Sequence, residues 1–290
     1  MSRSFGRSSC RAAALSTAVL LAAAVAPVGA APGVVSPQPA AAAAAGMFKV
    51  RCFQSDRAAD DPIVYPGKPG AAHLHDFFGN RSTNAYSTLS SLRAAGTNCQ
   101  NMHDKAAYWA PVLYQDGKAV TPKEVQVYYR ASNRDPQAIR NIPAGLKMIA
   151  GDPTSTRPQS VDVAGWTCRA GDLPQFQSSM PTCNPAAGDK LRNRIRFPEC
   201  WDGKHLDSAD HRSHLAYLVS GRCPAGHPVA LPRVDIEVHY GSIPAGSSRV
   251  RLSSGSWTTL HADFFNAWDQ DVLGSLIQRC LNGEQICGLV

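Results

Sequence analysis

In five short segments of this 290-residue chain, histidine sits beside acidic or aromatic residues. These are His73-Leu74-His75-Asp76-Phe77-Phe78, His103-Asp104, Asp202 to Asp207 with His205, Asp210-His211-Arg212-Ser213-His214, and His261-Ala262-Asp263-Phe264-Phe265. Seven of the nine histidines fall in them, so the imidazoles are concentrated rather than scattered. Imidazole changes charge near neutral pH and is the commonest protein ligand of transition metals. If the segments converge, they build a pocket able to hold a divalent metal such as zinc, manganese or copper, or to move protons. Residues two apart on a strand point to one side, so His73 and His75 can share a pocket. His211 and His214 bring two rings together on a turn or helix, and His261 with Asp263 adds a nitrogen and an oxygen. The expected metal set is therefore His73, His75, His211, His214, His261 and Asp263. The expected acid–base groups are His75, Asp76, Asp202, Asp210 and His214.

Each of these residues also has a plainer reading. A single histidine can serve by bonding a backbone carbonyl, and the Asp and Ser residues of the 199–217 run can satisfy their own backbone as surface turns. Flat rings with polar edges suit carbohydrate faces, and Tyr108, Trp109 and Trp201 are the expected sugar-stacking residues. Trp268 is expected in the core.

Elements able to position such a site can be read from the hydrophobic pattern. Alternating or β-branched runs occur at Glu124-Val125-Gln126-Val127-Tyr128-Tyr129, Leu146-Lys147-Met148-Ile149 and Arg194-Ile195-Arg196-Phe197. Others are Leu215-Ala216-Tyr217-Leu218-Val219, Val234-Asp235-Ile236-Glu237-Val238-His239-Tyr240 and Val250-Arg251-Leu252. Period-2 alternation predicts strands, and the 21 prolines and 23 glycines punctuate the intervals. From Phe264 to Cys280 the apolar residues recur at three and four residue steps, which predicts a C-terminal helix with Asp263 as its N-cap. A shorter helix is expected around Ser87 to Ala95. The predicted fold is mainly β, a disulfide-stabilised β-sandwich or distorted barrel with long loops and a C-terminal α-helix.

Arg3, Arg7 and Arg11 precede an apolar run from Ala12 to Ala26, and small residues follow at Gly29-Ala30. Residues 1–30 therefore read as a secretory signal peptide, 31–46 as an Ala/Pro-rich tether, and 47–290 as one globular domain. No later segment reaches the roughly 20 apolar residues that span a bilayer. The expected location is extracellular and the expected state a monomer. Beyond Cys10 the chain has eight cysteines, an even number that implies disulfides in an exported protein, with 105 possible connectivities. Proximity suggests Cys168 with Cys183, Cys200 with Cys223 and Cys280 with Cys287, leaving Cys52 with Cys99. No Cys-x-x-Cys pair supports thiolate metal binding.

The net charge of +7 falls to +4 once Arg3, Arg7 and Arg11 are removed, since no acidic residue precedes Asp56. That mild bias suits an anionic wall polymer or nucleic acid and is explained equally well by a solvated surface; no basic run of five appears, which argues against a nucleic-acid-binding arm. The Asp210 to His214 segment bears a weak likeness to the Asp-Arg-Gly-His element of metal-dependent nucleases, with an extra His and Ser213 in place of the glycine. There is no Gly-x-Ser-x-Gly, His-Glu-x-x-His or phosphate-cradling glycine loop, so serine hydrolases, zincins and nucleotide enzymes have no motif support.

Longer motifs carry a family resemblance. They are His73-x-His75-Asp76-Phe77-Phe78-Gly79-Asn80, Tyr108-Trp109-x-Pro111, Phe197-Pro198-x-Cys200-Trp201-Asp202-Gly203, Asp207-Ser208-x-Asp210-His211-x-Ser213-His214 and His261-x-Asp263-Phe264. With them the chain resembles exported bacterial and fungal proteins grouped only as a domain of unknown function. Fungal members are sometimes fused to WSC carbohydrate-binding modules. The resemblance implies no established activity, but tilts the expected partner toward polysaccharide or cell-wall glycan. A His/Asp cleft acting on such material, with a divalent metal, is the expected function; a non-catalytic glycan-binding protein and a secreted nuclease are the alternatives.

Overall fold

The computed structural model describes residues 46–131, 138–169 and 175–290. The expected signal segment, and the tether up to residue 45, lie outside the described residues. Two antiparallel arrays share one core. The larger has six strands in the order Ile286–Leu289, Met47–Cys52, Glu124–Arg130, Arg233–Gly241, Leu191–Arg196 and Ala164–Thr167, all antiparallel except the first pair. The smaller has five: Gln54–Ala58, His75–Gly79, Ala107–Pro111, His261–Phe265 and Lys147–Gly151. Alternate residues of both sheets, among them Phe48, Val50, Val127, Tyr129 and Ile236 from one and Phe78, Tyr108, Met148 and Phe264 from the other, meet in a single apolar cluster. This is a β-sandwich; among the described residues no sheet closes into a barrel.

The five-stranded sheet is buried on both sides. Every residue of His75–Gly79, Ala107–Pro111 and His261–Phe265 is buried, because its outer face carries a second apolar cluster of Ile63, Phe77, Leu92, Trp109, Ile149 and Phe265. Strands covered on both faces read as continuous apolar runs rather than alternating ones. Hence the helix expected from Phe264 to Cys280 starts later. His261–Phe265 is a strand bonded on both sides, to Ala107–Pro111 and to Lys147–Gly151. The helix is Gln270–Leu276, continued by a wider-wound turn at Ile277–Asn282, and its N-cap is Asp269 rather than Asp263. Asp269 Oδ1 accepts from the Asp271 and Val272 amides. Trp268 is buried as expected, ahead of the helix rather than on it. The short helix, Leu89–Ala94, is closed by a reciprocal Thr88–Ser91 capping box.

The Glu124, Val234 and Val250 runs form strands over nearly their full length, whereas the Leu215 run forms a strand only at Leu215–Ala216, with an isolated bridge from Val219 to Arg222. All four disulfides join the cysteines paired by proximity: Cys52–Cys99, Cys168–Cys183, Cys200–Cys223 and Cys280–Cys287. Among the described residues no helix is long and apolar enough to cross a membrane, which together with the disulfides is consistent with export.

Candidate functional site

Strand pairing decides which side chains meet. His75, opposite Pro111, shares the outer face of the five-stranded sheet with Phe77 and Trp109, and Asp263, opposite both Trp109 and Ile149, joins them there with His261. His73 lies just before the strand and turns its ring onto the same spot: its Nε2 is 3.0 Å from His261 Nε2, and its ring centroid 4.2 Å from that of His75. Asp61, from the loop that covers this face, completes the pocket. One ligand atom each from His73, His75 and His261 lie within 4.8 Å of one another, and so do one each from Asp61, His75 and Asp263. Ligands about 2.0–2.2 Å from a common ion are at most about 4.4 Å apart, so a small inward shift closes either set on one ion.

The tautomers are set by the backbone. His75 Nδ1 meets the Asp60 carbonyl at 2.9 Å and His261 Nδ1 meets the Thr259 carbonyl at 2.7 Å. A carbonyl only accepts, so both Nδ1 atoms carry the proton and both Nε2 lone pairs point into the pocket. His75 Nε2 is buried with no hydrogen-bond partner, as is Asp263 Oδ2. Burial disfavours the charged form of all three imidazoles: it lowers His73, drives His75 well below its ordinary range with help from His73 and His261, and brings His261 down to about 3. It raises both carboxylates, Asp61 and, more strongly, Asp263, where the nearby Asp61 adds to the effect. The pocket thus gathers lone pairs and carboxylates, with Arg212 close enough to favour the Asp263 anion but bonded to the Gly151 carbonyl.

Its wall is built with some strain. Gly151 has φ of 80°, and a Cβ there would sit 2.4 Å from the Leu260 carbonyl, so glycine lets this strand end lie flat against His261. Arg212 Nη2 donates to the Gly151 carbonyl at 2.9 Å. It is delivered by a tight turn in which His211, with φ of 57°, takes the left-handed conformation. Asp210 Oδ1 holds that turn by accepting from the Arg212 and Ser213 amides and from the Ser208 and Ser213 hydroxyls.

Several expected site residues are therefore elsewhere. Asp76 alternates to the opposite face of its strand, where it pairs with Arg57 at 2.7 Å and with Gln54; burial raises it to about 6 against the pull of Arg57. His214 is buried with both ring nitrogens engaged, by the Lys147 carbonyl at 2.8 Å and Ser208 Oγ at 2.9 Å, so it is neither a free ligand nor a free base. His211 Nδ1 bonds Asp207 at 2.8 Å, outside the ligand sets. Asp202 forms a turn, accepting from the Lys204 and His205 amides and pairing with the His205 ring, and Asp210 is likewise a turn-former. Tyr108 and Trp109 are fully buried and cannot stack on a sugar; Tyr108 bonds Asp104 and Tyr129 in the core. Trp201 is half-buried, its indole N–H held by the His205 carbonyl at 2.7 Å. Asp61 was missed. Its signal is an acidic pair, Asp60-Asp61-Pro62, ahead of the histidines in an otherwise sparsely charged loop.

No curated protein and no solved structure matches the chain. One family model does, and it starts at Asp61 and runs past Asp263, so it contains every residue of the pocket. The chain belongs to the family described as Domain of unknown function (DUF1996), matched over residues 61–268.

Proposed function

We propose that the protein is an exported metalloprotein in which His73, His75 and His261, with Asp61 and Asp263, bind one divalent transition ion, and that this centre acts on polysaccharide of a cell wall. The observation that carries the metal reading is the convergence of three imidazole nitrogens, two of them fixed as lone-pair donors by backbone carbonyls, beside a buried Asp263 oxygen that has no hydrogen-bond partner. Such orphaned donors cost free energy unless a ligand satisfies them. A nitrogen-rich set with added oxygens suits zinc, copper or manganese. A bound ion would polarise an oxygen and acidify water. Where the ion sits on His73, His75 and His261, Asp61 and Asp263 remain free to exchange the proton. The half-buried His73 marks the side from which a substrate enters.

Elemental analysis of the exported, purified protein tests this. About one ion per chain is expected, lost in His75→Ala and in His261→Ala. Restoring the ion to chelated protein should stabilise it by about 2.7 kcal/mol at a free concentration about 100 times Kd. No metal uptake and no thermal response to any of the three ions would end the proposal.

A further inference from the structure

We propose that Tyr65 and Tyr86 form a stacking platform for a neutral polysaccharide on the rim of the His73/His75/His261 pocket. This rests on the reading of that pocket as the reactive centre only in saying what the platform serves. Both rings are exposed, at 39% and 65% of their full area, and the side chain of Val64 beside them is open as well. Isolated apolar residues on a surface are ordinary. Here the two segments that carry the tyrosines are joined by backbone, and one residue ties both to the pocket.

That residue is Asp60. Its carbonyl accepts from His75 Nδ1, its Oδ1 from the Gly70 amide at 2.9 Å and its Oδ2 from the Ala85 amide at 3.0 Å. Tyr65 is held from its neighbour: its amide donates to the Asp61 carbonyl at 3.0 Å, while Asp61 Oδ1 accepts from the Ile63 and Val64 amides. The Gly67 amide then donates to the Ala85 carbonyl at 2.7 Å, which lays the Tyr65 loop along the Tyr86 turn. Asn84 Oδ1 fixes the Tyr86 amide at 2.8 Å. The backbone under both rings is thus ordered before any ligand arrives, which removes much of the entropy cost of binding.

The chemistry of the rim selects the ligand. Across residues 62–74 the only full charge is Lys68, and residues 82–88, Ser-Thr-Asn-Ala-Tyr-Ser-Thr, carry none. Lys68 and the flanking Arg81, both exposed, are fewer cations than an anionic wall polymer or a nucleic acid would need here. Flat phenol faces flanked by hydroxyl and amide groups instead match a neutral sugar chain, with C–H faces on the rings and hydroxyls toward Asn84, Ser87 and Thr88. This assigns to exposed rings the role that the buried Tyr108 and Trp109 cannot fill.

The test is co-sedimentation of the full exported protein with insoluble β-1,4-glucan, β-1,3-glucan and poly-N-acetylglucosamine, with polygalacturonate as the anionic control. Metal content is measured on every sample. Wild type should bind at least one neutral polymer. Tyr65→Ala and Tyr86→Ala should each weaken binding about tenfold and Tyr→Phe at either position should retain it, all with unchanged metal content. Retention of wild type on polygalacturonate alone, on no polymer, or equally by the double alanine variant would overturn the proposal. Tyrosine-dependent binding by a metal-free protein would sink the metal centre and leave the platform standing; a metal-loaded protein indifferent to both tyrosines would do the reverse.

Discussion

Asp235 and Asp263 are equally deep, at 2% and 1% exposure, but the fold treats them in opposite ways. Asp235, on the outward face of the six-stranded sheet, is ringed by three guanidinium groups: Arg130 Nε at 3.2 Å, Arg196 Nε at 3.3 Å and Arg233 Nε at 3.2 Å. Asp263, on the outward face of the five-stranded sheet, has a buried oxygen with no hydrogen-bond partner, with His75 and Asp61 beside it and Arg212 acting only through space. One strand pattern thus supports two kinds of surface. Asp235 is bonded by counter-charges from its own and neighbouring strands, whereas burial favours the neutral form of Asp263 and one of its oxygens meets no hydrogen-bond partner.

The sharpest way to break this contrast is Asp235→Ala. It strands three partly buried arginines around a lost anion and should cost about 3 kcal/mol in urea unfolding with the disulfides intact. A loss under about 1 kcal/mol would mean that Asp235 is solvated in practice and the comparison is empty.

The second test uses pH on metal-free protein. His261 falls to about 3 in the folded state, below the ordinary 6.5. The unfolded chain therefore takes up its proton first, and the stability that neutral His261 contributes, present above about pH 6.5, is lost as pH falls toward about 3. One such group removes about 1.5 kcal/mol between about pH 6.5 and about pH 5. His261→Gln should flatten the slope by that amount. An unchanged slope would show that the ring is charged or open to water.

How far these two regions could be read in advance differs for physical reasons. His73, His75 and His261 were identifiable by type and by flanking residues, and the disulfides by proximity. The four pairs match because each closes within its own stretch of chain. Asp76 misled because its strand is buried on both faces, so alternation does not say which side is the pocket. Asp263 looked like a helix cap since the apolar spacing after it fits a helix as well as a strand; only the bonding of His261–Phe265 on both edges decides. The 202–214 run looked richest in chemistry and proved to be largely self-satisfied, its carboxylates folded onto their own amides. Asp61 carries no motif of its own; what brings it beside His75 and Asp263 is a loop laid over a sheet, a tertiary fact.

The smallest expected effect returns to the opening pair. Asp263→Asn keeps the shape and removes a carboxyl whose folded-state pKa burial raises. A raised value means a destabilising contribution that is absent below the ordinary carboxylate range and grows as pH rises through the folded-state value. The amide does not titrate, so metal-free Asp263→Asn should match wild type in acid and be more stable near neutrality by up to about 1 kcal/mol, while taking up metal less tightly. Asp235→Asn should move the other way at the same pH, since its arginines lose an anion they depend on. If both variants lose stability equally, Asp263 is a structural carboxylate like Asp235 and the pocket has no claim on an external ion; opposite signs would tie the stability deficit to the metal site itself.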